Sequence, residues 1–137
     1  MADLTVTAAN VTSNNTSQTY RSYETDVAIT AGEAVAEDPS TGNLVLAKAD
    51  TENNAQLVGI ALTTSSGAGE YIVVAERGLY VSGASMVAGT YYVVSGNAGK
   101  LAPFGDLTTG EYVTYAVVAE STSTARILPY STAITVA

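Results

Sequence analysis

Short apolar runs, rich in Val, Ile, Tyr, Thr and Ala, alternate along this chain with Gly, Asn, Ser, Asp and Pro. No stretch carries an apolar stripe at the 3.6-residue period of an amphipathic helix. β-branched and aromatic runs between turn signals are the mark of strands. The pattern predicts strands at residues 4–6, 26–29, 33–36, 43–47, 56–62, 71–77, 79–81, 90–95, 100–102, 112–119 and 126–129. A last strand is predicted at 133–136, and a single helical turn at 51–55. The turns agree. Asp38-Pro39-Ser40-Thr41-Gly42-Asn43 has Pro early and Gly late, as a type I turn with a following bulge requires. Residues 65–69 and 95–99 read as similar loops. Strands this short and closely spaced predict an all-β fold, a small β-barrel or sandwich.

One spacing recurs. Gly32 and Gly89 stand 89 − 32 = 57 positions apart, and so do Gly42 and Gly99, Leu44 and Leu101, and Ile60 and Val117. A gap of two residues then sets Ile72 against Ile127. The expectation is two similar halves of about 57 residues, at about 26–83 and 84–137. A unit of that size buries little surface alone, so the two would pack together or share one barrel. The first 25 residues differ from both halves. A polar, uncharged tract from Asn10 to Gln18 separates Asp3-Leu4-Thr5-Val6-Thr7 from Thr19-Tyr20-Arg21-Ser22-Tyr23. Residues 1–25 are expected to form an extended N-terminal arm on a β-rich core at 26–137; the other reading is a first edge strand followed by a long loop. An extended arm with unpaired backbone groups adds readily to the sheet edge of a partner.

Composition narrows the chemistry. Of the 137 residues 47% are hydrophobic and only 13% charged, which predicts a packed core. The chain has no Cys, hence no disulfide, thiolate metal site or cysteine nucleophile. It has no His, so the commonest general base and metal ligand is missing. Five Lys and Arg against thirteen Asp and Glu give a net charge of −8. Such a surface repels nucleic acid and anionic membranes, so neither is an expected partner. No run reads as a signal peptide or a bilayer span, and the expectation is a soluble product of a cytoplasm. Asn10-Val11-Thr12, Asn14-Asn15-Thr16 and Asn15-Thr16-Ser17 fit the glycosylation pattern but would never meet that machinery there.

The remaining motifs read as structure. Glu37-Asp38, with Ser40 and Asn43 around Gly42, lacks the ligand spacing of a calcium loop, and Asp50 and Glu52 read as solvated turn acids. Asp106-Leu107-Thr108-Thr109-Gly110-Glu111 reads as a turn in which Asp106 bonds its own backbone. Ser65, Ser66 and Ser121 have no His to activate them. Gly67-Ala68-Gly69 lacks the Lys and helix start of a phosphate loop. No enzyme, metal or cofactor is expected. There is no Trp and one Phe, but nine Tyr. On a strand Tyr91 and Tyr92 must point to opposite faces, one inward and one outward. Tyr suits protein contacts because it buries a large ring while its hydroxyl stays satisfied. The five cations are scattered and should pair locally on an acidic surface. Arg21, between Tyr20 and Tyr23, is placed for a stacking or anchoring contact.

Several stretches resemble the capsid decoration, or cement, proteins of tailed bacteriophages. They are Ile29-Thr30-Ala31-Gly32-Glu33-Ala34-Val35, Gly42-Asn43-Leu44-Val45-Leu46-Ala47, Val58-Gly59-Ile60-Ala61-Leu62 and Gly89-Thr90-Tyr91-Tyr92-Val93-Val94-Ser95. Gly99-Lys100-Leu101-Ala102-Pro103, the stretch from Asp106 to Val113 and the opening Met1-Ala2-Asp3-Leu4-Thr5-Val6 are similar as well. The resemblance covers most of the chain, but its motifs are turns and strands, not catalytic signatures. It implies a β-rich virion protein on the outer capsid surface, made in the host cytoplasm. Such a protein is often a homotrimer, and it would clamp neighbouring major capsid proteins against internal pressure. The arm that augments a capsid strand would map to residues 2–7, with 20–23 nearby. Asp3, Leu4, Val6, Tyr20, Arg21 and Tyr23 are therefore the capsid-interface candidates. The alternatives are another virion surface β-module (a head fibre base, a tail component or a carbohydrate-binding adhesin) or, against expectation, a hydrolase using Asp106 and Glu111.

Overall fold

Turn glycines and β-branched runs together build an antiparallel sheet. The computed structural model describes residues 3–13 and 19–137. Residues 1–2 and 14–18, and with them the Asn14 and Asn15 sequons, lie outside the described residues. In chain order the strands are β1 (Thr12–Ser13), β2 (Thr19–Glu24), β3 (Ala34–Glu37), β4 (Leu44–Leu46) and β5 (Leu57–Ala61). They continue with β6 (Tyr71–Val81), β7 (Tyr91–Val94), β8 (Leu101–Pro103), β9 (Tyr112–Ala119) and β10 (Thr124–Thr135). Two 3-10 turns, Ala8–Asn10 and Phe104–Asp106, complete the elements. The strand order is β4-β3-β5-β6-β10-β9-β7-β8, with β1 and β2 laid on β6, and the sheet curls into a half-barrel. The expected all-β class holds.

β6 is the spine. Its 71–77 stretch pairs with β2, and Ala75 and Val74 pair with Ile60 and Ala61 of β5. Its last four residues pair with β10. The second stretch begins at Gly78, at φ 97, a backbone state closed to most side chains, and there one strand passes from one set of partners to the other. The sequence pattern broke this strand at Gly78; the backbone bends there and continues. Likewise 126–129 and 133–136 are one strand, β10, with register shifts after Ile127 and after Ser131.

Two predicted strands do not form. Residues 26–29 form no ladder: Ile29 makes an isolated bridge to Ser65 and the neighbouring Thr25 one to Leu44, because Ile29 is the one buried residue of the four and its N–H is taken by Ser65. Residues 4–6 contribute one backbone bond, Leu4 N–H to Leu101 O at 2.8 Å. The predicted helical turn at 51–55 is closed by Ala55 N–H to Thr51 O at 3.0 Å.

Residues 3–13 lie on the core instead of standing away from it. Val11 is buried, and Leu4 and Val6 pack on the central cluster. Thr7 N–H bonds Gly83 O at 2.8 Å. Gly32 and Gly83 make the room: a Cβ at Gly32 would press on Val6 and Val11, and one at Gly83 would sit 2.6 Å from Thr7 O. Apolar side chains this close to a core gain more by burial than a free arm would keep.

The core has three parts. A central cluster, with Ala36, Ile60, Tyr80, Tyr92, Val94, Leu101, Val117 and Ile127, fills the curl. A second lies on the outer side of β3–β6 and holds Ile29, Val35, Leu44, Ala61, Ile72 and Val74. A third lies outside β7–β9 and holds Ala49, Val93, Leu107 and Val113.

The spacing of 57 holds for strand bounds: Ala34–Glu37 maps onto Tyr91–Val94, and Leu44–Leu46 onto Leu101–Pro103. It fails for packing. Ala34 pairs with Ile60, but Tyr91 pairs with Val118, one residue past 60 + 57 = 117. A one-residue slip exchanges the faces of a strand. Ala36 is central while Val93 is outer, and Leu44 is outer while Leu101 is central. Ile72 is outer while Ile127 is central; Ile60 and Val117, and Leu62 and Ala119, keep the same side.

Candidate docking site

The six candidate residues divide between two places. Tyr20, Arg21 and Tyr23 lie on β2, opposite Ala75, Val74 and Ile72 of β6. The expected stacking of Arg21 is present: its guanidinium lies 5.6 Å from the centre of the Tyr23 ring. The same guanidinium stands 3.5 Å from the Glu76 carboxylate, and Tyr23 Oη donates a hydrogen bond to that carboxylate. Burial, and then the Glu76 bond and charge, push the Tyr23 phenol up to about 12. Tyr20 and Tyr71 stand exposed on either side, with Tyr71 Oη 3.4 Å from Glu24 Oε1.

β2 pairs with β6 on one edge only; among the described residues no strand pairs with its other edge. Alternate residues of such an edge offer free N–H and C=O groups in line, which is the template a further strand needs. This edge was not legible as a strand in the sequence, because its residues are mostly exposed and show no inward apolar alternation. Glu76 was missed too. It lies 53 residues from Tyr23, and only the pairing of β2 with β6 brings it close.

Asp3, Leu4 and Val6 lie elsewhere, on β8 and the loop before it. The Asp3 carboxylate accepts from Ser95 Oγ at 2.7 Å and Asn97 Nδ2 at 2.8 Å. With Lys100, Asp106 and Glu111 these residues line an open cleft of about 670 Å³. Its acids serve the fold. Glu111 Oε1 accepts from Thr108 N–H at 2.7 Å, as Glu33 Oε1 accepts from Thr30 N–H at 2.7 Å. Each closes a Thr-x-Gly-Glu turn whose Glu N–H bonds the Thr carbonyl in return. The structure thus does not join the two candidate groups; each contacts its own strands.

The other acids also hold turns. The Ser40 hydroxyl and then its N–H hold the Asp38 carboxyl below its usual range, and the Ser66 hydroxyl and N–H do the same for Glu70. Asn54, and after it Lys48, lowers Asp50. Gly42 N–H to Asp38 O at 2.7 Å, with Gly42 at φ 75, completes the predicted turn and bulge. Arg126 pairs with Glu120 at 2.7 Å, and Lys48 with Asp50 at 3.5 Å. Among the described residues no three His, Cys, Asp or Glu are placed to share a metal ion, and no helix is long and apolar enough to cross a membrane.

Tyr92 points into the central cluster and Tyr91 outward, as their adjacency required. The Tyr91 ring meets Tyr115 edge-on, with centroids 5.9 Å apart and planes at 80°. Compared with known proteins, the chain matches no family model, no curated protein and no solved structure.

Proposed function

We propose that this chain is a non-enzymatic virion protein that binds the outside of an assembled phage head and cements neighbouring major capsid proteins, acting as a homotrimer built from two related halves. The observation that carries the reading is the open edge of β2, flanked by exposed Tyr20 and Arg21. A strand of the shell protein would add there by backbone hydrogen bonds, with the alternate side chains giving selectivity. Asp3, Leu4 and Val6 would take part by leaving β8, freeing the Leu101 carbonyl that Leu4 now occupies. A net charge of −8 keeps the subunit away from nucleic acid before it docks. Binding to the assembled shell but not to isolated subunits stabilises the assembly by mass action.

The test is co-sedimentation of the purified chain with phage heads lacking it. The chain is expected to bind intact heads and to raise the temperature at which they burst. The double variant Tyr20→Ser, Arg21→Glu is expected to lose that binding while staying folded. Heads that ignore the chain would overturn the reading; heads that bind wild type and double variant alike would overturn the β2 assignment.

A further inference from the structure

A second exposed surface lies on the other half of the sheet. Tyr130 of β10 is the register partner of Tyr115 on β9, so the two side chains share a face. Tyr91 of β7 meets Tyr115 on that face. Three tyrosines thus cross three neighbouring strands, and Tyr91 and Tyr130 are 55% and 65% exposed. Between Tyr91 and Tyr115 lies a hollow of about 180 Å³, walled by those two rings. Beside the hollow stands Tyr130, an unburied ring. The face therefore carries an aromatic projection and an aromatic recess together.

The charge pattern selects the occupant. Residues 127–137 contain no charged side chain, in a chain of net charge −8. Arg126, at the border of this tract, is neutralised by Glu120 at 2.7 Å. Two copies of an acidic chain repel over most of their surfaces and meet with least repulsion where neither is charged. A surface with both projection and recess is self-complementary, the condition for a symmetric assembly in which residue i of one copy meets residue j of the next.

We infer that this tyrosine face is the contact between copies of the chain, with Tyr130 of one copy entering the Tyr91–Tyr115 recess of another. The inference deepens the oligomeric part of the proposed function and is independent of the docking edge on β2.

Sedimentation equilibrium of the full chain over about 1–100 µM tests it, since that span brackets micromolar contacts. Wild type is expected to associate into a closed dimer or trimer, more tightly as salt is raised, because screening removes the repulsion of the acidic bodies. Tyr130→Glu and, separately, Tyr91→Ser are expected to weaken association at least about tenfold, or about 1.4 kcal/mol. Their circular dichroism should stay unchanged. Tyr20→Glu, on β2, is expected to associate as wild type does. A wild type that stays monomeric throughout, association that weakens with salt, or loss caused by Tyr20→Glu in place of Tyr130→Glu would each overturn the inference. A chain that associates through this face yet ignores phage heads would uphold it while removing the shell reading.

Discussion

The two outer faces of the curled sheet are finished differently. Outside β3–β6, Ile29, Val35, Leu44, Ala61, Ile72 and Val74 form a dry layer, with Tyr23 of β2 packed against it. The buried hydroxyls there are satisfied: Thr25 Oγ1 donates to Gly67 O at 2.9 Å, and Ser65 Oγ accepts from Ile29 N–H at 3.1 Å. Outside β7–β9 the apolar layer is smaller: Ala49, Val93, Leu107 and Val113, all buried. Beyond it Tyr91 and Tyr130 meet solvent. β2 pairs with β6 within the sheet and lays Tyr23 on the first face; the second receives Tyr115 of β9 and Val136 from the end of the chain. A sheet face completed within the chain serves stability, and one left aromatic and uncharged is available to another molecule.

The largest effect is expected from removing the N-terminal residues, which pack on the central cluster and, through Tyr23, on the first outer face. Deleting residues 1–25 takes away β1, β2 and the segment holding Leu4, Val6 and Val11. At about 1.5–3 kcal/mol for each buried apolar side chain, the loss should be about 5 kcal/mol or more, a large share of a domain's stability. Urea denaturation reads it. An unchanged midpoint would mean that the N-terminal residues ornament a self-sufficient core.

Next come paired truncations. Ile29→Ala, in the sealed layer, should cost about 2–5 kcal/mol. Val113→Ala, in the smaller layer, should cost about 1–2 kcal/mol, the transfer cost of two buried methyl groups. Equal losses in denaturant titrations would erase the contrast between the faces. Thr114 lies between Val113 and Tyr115 and so faces the other side of β9, where its Oγ1 is buried with no hydrogen-bond partner among the described residues. Thr114→Val has the opposite sign. It exchanges a buried hydroxyl without a bond for a methyl of the same shape and should raise stability by about 1 kcal/mol, visible as a higher melting temperature.

The smallest effect is a titration. Tyr23 should ionise near pH 12, later than a solvent-exposed phenol at 10.0. The unfolded chain releases that proton near 10 and the folded chain near 12, so folding stability is full below 10 and falls as pH rises from there through 12. Ultraviolet titration of wild type against Glu76→Gln reads the shift, which should shrink in the variant. A Tyr23 that titrates with the exposed tyrosines would dissolve the Arg21–Tyr23–Glu76 cluster that anchors β2.

Sequence alone determined what is settled within a few residues. The Asp38–Gly42 turn, the 51–55 turn and the opposite facing of Tyr91 and Tyr92 follow from glycine conformations, short side-chain-to-backbone bonds and the two-residue strand period. So did the all-β class and the positions of β3, β4, β7 and β8 at a common spacing. Long-range packing set which edge β2 occupies, that residues 3–13 lie on the core, and which side of β3 and β7 faces the centre. Those outcomes depend on burial summed over the whole chain. In a strand, a slip of one residue costs little locally, yet it turns every side chain to the opposite face.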